Sequence, residues 1–336
     1  MKLWDKGYDI NKLVEEFTVG RDREFDLLLA GPDGMGNMAH LLMLNKIGLI
    51  DDRDTSSLRA ALKEIYGTVL DGSFTIDSSM EDIHSQIEWL LTEKCGDAGM
   101  RIHTGRSRND QVLVDLKLFS RSRLIGLLED IGKLFDLLMD KAAQYKDVLM
   151  PGYTHQQIAM PSSFGLWFSA YAESLADDLL PLRAAYELVN TNPLGSGAGY
   201  GSSVPLDRAE TTKLLGFEDL AYNSVYAQMQ RGKTEKAVLT AIASVAATIG
   251  KLASDVCTFS GGNFFFIKLP DAFTTGSSIM PHKKNPDVFE LVRAKCNRLQ
   301  AAPNEMSLPL ANLTSGYARD MQLTKEIYFP ALTEIS

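Results

Sequence analysis

The chain has 336 residues, 45% hydrophobic and 23% charged, with a formal net charge of −9. That is an ordinary globular composition with room for more than one packed region, and it is too acidic for a nucleic-acid or anionic-membrane partner, which would need a basic face. The cysteines Cys95, Cys257 and Cys296 are too scattered for a disulfide framework or a metal site, the start Met1–Lys6 carries no signal-peptide apolar stretch, and no uninterrupted apolar run reaches the ~18 residues of a membrane span, so the expected address is the reducing cytoplasm.

The first hundred residues read as short helices, with turns at Gly31-Pro32-Asp33-Gly34 and Asp71-Gly72-Ser73. A boundary is expected near residue 105, giving an N-terminal helical domain over 1–105 and a long-helix bundle over 106–336. Residues 111–146 repeat apolar positions at helical spacing: Leu113, Leu116, Leu124, Leu127, Leu128, Ile131, Leu134, Phe135 and Leu138. A further long helix is expected from Ser162 to about Val189, kinked at Pro181. Val238, Ile242, Val245, Ile249, Leu252, Val256 and Phe259 then alternate four and three apart, a heptad seam suited to packing on other helices. Another helix starts at Pro286. Alternating strand patterns are nearly absent, so the fold class is all-α, a bundle of long helices. Polar, glycine-rich stretches at 101–110, 191–208 and 260–285 interrupt the helices, and loops of this kind usually carry chemistry.

The most informative stretch is Gly276-Ser277-Ser278-Ile279-Met280-Pro281-His282-Lys283-Lys284-Asn285-Pro286-Asp287. It is a loop with two hydroxyls and two lysines that runs into a helix, with Asn285 as the expected N-cap and Pro286 at the first helical position. Such a helix start attracts an anion, and the lysines add full charges; a capped helix beside a solvated lysine pair is the plain alternative. His103-Thr104-Gly105-Arg106-Ser107-Arg108-Asn109-Asp110-Gln111 suits planar carboxylate recognition or a salt-bridged loop. Pro151-Gly152-Tyr153-Thr154-His155-Gln156-Gln157 offers one histidine after a Pro-Gly turn, more often a structural residue than a catalytic one.

These segments resemble known motifs. GSSIMPHKKNPD is similar to the GSSxMPxKxNP loop of the fumarase/aspartase superfamily. HTGRSRNDQ and PGYTHQQ resemble the argininosuccinate lyase forms of its other two motifs. Glu81-Asp82-Ile83-His84 resembles that family's E-D-I-H, whose histidine lies at the substrate, and Asn192-Pro193-Leu194-Gly195-Ser196-Gly197-Ala198 its P-L-G-S-G-A loop. Tyr317, Gln322 and Lys325 fall on its Y-N-K-D-x-Q-x-x-K-E substrate-binding segment, where Arg319 replaces a lysine. The resemblance spans essentially the whole chain. It implies cofactor-free and metal-free β-elimination of argininosuccinate to arginine and fumarate, as in arginine biosynthesis, by a homotetramer whose sites each draw on three chains. It implies Ser277 as general base, His155 as general acid, Glu290 as the partner that orients the histidine, and Lys283 and Asn285 holding the carboxylate beside the proton removed. His84, Ser107, Arg108, Asn109, Thr154, Tyr317, Gln322 and Lys325 are implied as substrate-binding residues. The residues by themselves leave open which of Ser277 and His155 takes the proton and which gives it.

The chain also departs from the family pattern. Family members run on into a small C-terminal helical domain, expected to be missing beyond Ser336. The family's F-N-x-S appears as Phe17-Thr18-Val19-Gly20, with Arg21, Asp22 and Arg23 following. Its S-D-R-D appears as Gln230-Arg231-Gly232-Lys233, an acidic pair turned basic. Extra cations near the arginine end raise a second expectation, behind plain argininosuccinate: that the preferred substrate is an argininosuccinate acylated on its α-nitrogen, for instance by a dicarboxylic acyl group. The alternatives are another lyase of the superfamily, such as adenylosuccinate lyase, and a non-catalytic homologue like the lens crystallins.

Overall fold

The computed structural model describes residues 12–336; the charged start read at Met1–Lys6 lies outside the described residues. In chain order the elements are α1 (Lys12–Val19), α2 (Asp22–Asp26), α3 (Ala30–Lys46), α4 (Asp52–Leu70), α5 (Ile83–Cys95), α6 (Asp97–Arg101), α7 (Arg108–Gln144), β1 (Leu149–Thr154), β2 (Gln157–Ser163), α8 (Phe164–Val189), β3 (Thr191–Asn192), α9 (Arg208–Leu214), β4 (Asp219–Leu220), α10 (Ser224–Met229), α11 (Lys233–Phe259), α12 (Asp287–Leu299), α13 (Ala302–Ser307) and α14 (Thr324–Ile335). The fold is thus overwhelmingly helical, as expected, with the long helices where apolar periodicity put them.

Local chemistry explains four of the helix starts. The Asp51 side chain caps α4 by accepting from Asp54 N, and Asp82 caps α5 by accepting from Ser85 N. Asp207 and Asn223 do the same for α9 and α10. Each such cap stabilises its helix by about 1 kcal/mol. The turn expected at Gly31–Gly34 is instead the first turn of α3. Pro32 is tolerated there because the N–H it lacks has no partner in a first turn, and the buried face of α3, including Leu41, Met43 and Leu44, holds the segment helical against its glycines. A second correction concerns α12. Pro286, not Asn285, occupies the cap position, and no side-chain bond caps the helix. Asn285 pairs through its backbone with Thr275 instead, closing the base of the 276–284 loop.

One hairpin was not legible. β1 and β2 pair antiparallel, Pro151 facing Pro161. Proline and glycine obscure the alternation of these strands, and proline is tolerated because each strand of a two-stranded sheet is an edge.

The chain divides into two units. The first comprises 1–122, 187–235 and 306–329; the second comprises 123–186, 236–305 and 330–336. The boundary expected at 105 falls inside the first unit, just before α7. The core of the first unit joins α3, α4 and α5 through Leu41, Leu44, Leu58, Leu62, Ile83, Ile87 and Leu91. In the second unit α8 and α11 pack together with polar layers between them. Asp178 accepts from Ser244 (2.5 Å) and Thr248 (2.7 Å), and Asp255 accepts from Trp167 Nε1 (2.9 Å) and the Tyr171 hydroxyl (2.6 Å). Though no unbroken apolar run reaches span length, α11 is long and apolar enough to cross a membrane by length and composition. Its Val238, Leu239, Ile242, Val245 and Ala246 are nevertheless fully enclosed by the protein.

Candidate active site

A cleft of about 230 Å³ opens in the first unit. Asp22, Asp26, Glu81, Asp82, His84, Arg108, Asn109, Val112, Gln228, Arg231, Tyr317, Arg319, Gln322 and Lys325 line it. Six expected binding residues, His84, Arg108, Asn109, Tyr317, Gln322 and Lys325, therefore converge here from segments more than two hundred residues apart.

Each is held by its neighbours. Arg108, at the start of α7, donates to Asp82 (3.0 Å) and to the Ser85 hydroxyl (2.8 Å), and lies 3.4 Å from Glu81. Burial acts to raise the Asp82 carboxyl, but the charges of His84 and Arg108 and the Ser85 bonds hold it below its ordinary value. Asn109 precedes Asp110, a fully buried carboxylate that accepts from Ser107 N (2.8 Å), Gly195 N (2.8 Å) and Gly197 N (2.9 Å). Both glycines have positive φ, 86° and 64°, which a side chain resists. The PLGSGA stretch therefore acts as a brace on the α7 N-terminus. Ser107 is part of that brace: its hydroxyl accepts from Asn109 N (3.3 Å) and it does not line the cleft.

At the other wall, the Gln322 amide donates to the carbonyls of Thr18 (2.9 Å) and Val19 (3.0 Å). Arg319 donates to Thr18 O and pairs with Glu81 at 3.2 Å. Lys325 is 4% exposed, 2.6 Å from Asp26 and 3.4 Å from Asp22. Burial alone would discharge it, yet the two carboxylates hold its pKa above the ordinary lysine value. Asp22 is pushed up to about 6, by burial first and by Asp26, against the pull of Lys325.

Sequence reasoning missed Asp22 and Asp26. Their signal is only an acid within a short charged run, indistinguishable from a solvated loop. The same region corrects the charge argument at Gly20. Arg21 points to Glu24 (2.7 Å) and Arg23 donates to Met80 O, so neither lines the cleft, whereas Asp22 does. Arg231 does line it, but is buried and engaged by Glu235 (3.3 Å), Thr324 and Met321 O. Lys233 is exposed and lies over the Tyr226 ring.

The remaining expected residues belong to the second unit. Thr154 ends β1, and His155 and Gln156 form the hairpin tip, both with positive φ (51° and 60°). Two consecutive positive-φ residues make the turn that matches hairpin twist, and non-glycine residues adopt it at some cost. The hairpin stem is fixed by aromatic contacts: Tyr153 meets Phe264 and Phe266, which with Phe259 and Trp167 form one cluster. Ser277 sits half-buried in the loop, its Oγ accepting from Ile279 N (3.3 Å) and Met280 N (3.2 Å). Lys283 and Glu290 are exposed, Asn285 half-buried. Among the described residues no hydrogen bond or ion pair joins His155, Ser277, Lys283 and Glu290 to one another.

The sequence profile of a lyase family matches residues 11–301. The chain is 59% identical over 334 residues to an argininosuccinate lyase of Phocaeicola vulgatus, covering 99% of this chain and 75% of that protein. It is 58% identical, with the same coverage, to an argininosuccinate lyase of Bacteroides fragilis. Among solved structures, EDDS lyase in complex with formate superposes with a TM-score of 0.79 at 26% identity, covering 95% of this chain and 65% of that one. The chain is a lyase and belongs to the argininosuccinate lyase family of the fumarase/aspartase superfamily.

Proposed function

We propose that this chain splits argininosuccinate to arginine and fumarate, with the cleft of the first unit receiving the substrate and the hairpin and loop of the second unit supplying the chemistry. The observation that carries this is the cleft itself: six residues of the family pattern meet there, prearranged by buried ion pairs. A base takes a proton from the succinyl carbon next to the one bearing nitrogen. Its electron pair becomes the new C=C bond, the C–N bond breaks, and an acid protonates the departing guanidino nitrogen. The charge that builds on the adjacent carboxylate calls for donors already in place, a role for Lys283, Asn285 and the orphan N–H groups at the start of α12. Ser277 acts as base and His155 as acid, with Glu290 orienting the histidine. Thr154, Ser107 and Asn109 orient the succinyl part directly or through their helix. Because no hydrogen bond or ion pair joins Ser277, His155, Lys283 and Glu290 to one another among the described residues, we infer that a site is completed by other copies in a homotetramer.

The unmodified substrate is the reading the cleft favours. A free α-ammonium suits Asp22, and the cations that argued for an acylated substrate are either outside the cleft or already paired. The deciding assay follows fumarate release from argininosuccinate, its α-N-acetyl and α-N-succinyl derivatives, and adenylosuccinate. Preference for argininosuccinate is expected; a higher kcat/KM for any of the others overturns the reading.

A further inference from the structure

Behind the His84 side of the cleft lies a cluster that the reaction as written does not use. Asp33 from α3, His84 from α5 and Asp115 from α7 bring one ligand atom each within 4.8 Å of one another, and none is more than 4% exposed. His84 Nδ1 is 2.8 Å from Asp33 and 3.8 Å from Asp115. The second oxygen of Asp33 accepts from the Asn37 amide at 2.8 Å, and the Asn37 carbonyl in turn accepts from Arg106. Left over, fully buried and without a hydrogen-bond partner, are both oxygens of Asp115 and Nε2 of His84, whose ring lines the cleft. Such orphans are rare inside proteins and call for a reason.

We propose that Asp33 and Asp115 are positioning residues, a buried carboxyl pair sharing one proton, which locks the His84 ring with Nδ1–H turned inward and leaves Nε2–H as the donor to a substrate carboxylate. The proposal rests on the cleft being the substrate site. Its logic is charge balance. Two ionised carboxylates this close and this dry repel, so one keeps its proton. Asp115 is the one: burial first, then the neighbouring Asp33, push its carboxyl well above the usual range. Its proton is then available to Asp33, and Asp33 remains the anion facing Nδ1. Burial works against a charged His84, but Asp33, by charge and hydrogen bond, and Asp82 and Asp26 beyond it outweigh burial and raise its pKa. The nearby His103 adds no opposing charge, because burial depresses its pKa to about 4 and leaves it neutral. The trio is thus one cation, one anion and one neutral acid. A charged donor to a carboxylate is what the cleft otherwise lacks at this wall, since Arg108 is spent on Asp82 and Ser85.

A metal ion is the competing occupant, and the donors argue against it. Asp33 already takes an amide proton on one oxygen, and the buried guanidinium of Arg106 acts electrostatically on Asp115 and Asp33.

The test is histidine side-chain NMR on the ¹⁵N-labelled 336-residue chain, which has five histidines, with His84 assigned by His84→Gln. In the wild type both His84 nitrogens should carry protons at neutral pH. Asp33→Asn should lower the His84 midpoint by about 1–3 pH units. Asp115→Asn supplies the same donor to Asp33 as the protonated acid and should leave that midpoint within about half a unit. Loss of the charged donor should raise KM for argininosuccinate in Asp33→Asn by about 10- to 150-fold, with a smaller fall in kcat. A neutral His84 in the wild type, an Asp115→Asn midpoint that falls as far as that of Asp33→Asn, or a stoichiometric divalent metal by elemental analysis overturns the proposal. The spectra need no substrate. A cationic His84 combined with an unchanged KM in Asp33→Asn therefore overturns the cleft as substrate site, and the positioning role with it, separately from the proton arrangement.

Discussion

The cleft of the first unit and the hairpin and loop of the second are built on opposite principles. In the cleft, nearly every charge is paired and part or fully buried: Lys325 with Asp26 and Arg231 with Glu235 in the interior, Arg108 with Asp82 half-buried. His155 and Lys283 are exposed, Ser277 half-buried, and what order they have comes from their stems, the aromatic cluster under the hairpin and the Thr275–Asn285 bridge under the loop. A binding surface made by the chain's own core must be stable before substrate arrives. Chemical groups on loop tips contribute little to stability and are free to be completed by something else, substrate or another copy of the chain.

If that contrast is right, substitutions should divide cleanly into those that cost rate and those that cost stability. The largest effect is expected at the tips. Ser277→Ala and His155→Asn should each lower turnover by roughly 10²–10⁴-fold, while the denaturant midpoint barely moves. Mixing the two inactive proteins should restore activity once hybrids form; hybrids shown by native mass spectrometry yet still inactive would break the shared-site idea. Next comes Lys325→Met, on the cleft side. Removing one partner of a buried pair should destabilise the first unit by about 3–5 kcal/mol, read as a shift in urea unfolding, and activity should fall with it. A rate loss at full stability would place Lys325 with the tips instead.

Asp22→Asn sharpens the comparison through pH. In the folded chain this carboxyl titrates at about 6 rather than its ordinary 3.8. The native state therefore binds its proton more tightly than the unfolded state, and stability falls as pH rises from ~4 to ~6, then levels. The asparagine variant should lose that slope, gaining about 3 kcal/mol relative to wild type across the window; an identical slope in both proteins would assign the titration elsewhere. The smallest effect is expected from Lys284→Ala. Its ion pair with Asp271 is half or more exposed on both sides, so stability should change by less than about 1 kcal/mol. A larger loss would mean that the loop is more rigid than its exposure suggests.

Much of the framework was legible in advance. Apolar spacing marked α7, α8 and α11, and the GSSIMPHKKNPD and HTGRSRNDQ stretches pointed to chemistry and to the right neighbourhood for Arg108 and Asn109. The Gly31–Gly34 turn was misread because glycine and proline are weighed locally, while the helix there is held by burial of α3 against α4 and α5. The β1–β2 hairpin was invisible because its two prolines break the alternation that marks a strand.

By itself, then, the sequence determined the helical class and the long-helix skeleton and singled out the candidate reacting side chains. These depend on periodicity and on residue types at short spacing, and both are properties of contiguous chain. Only the tertiary structure decided that Asp22 and Asp26 enter the cleft, that Arg231 is consumed by Glu235, and that Asp33, His84 and Asp115 share one dry pocket. The charge state of a side chain depends on desolvation and on partners that can be scores or hundreds of residues away, and no local pattern records which helix faces will be packed together.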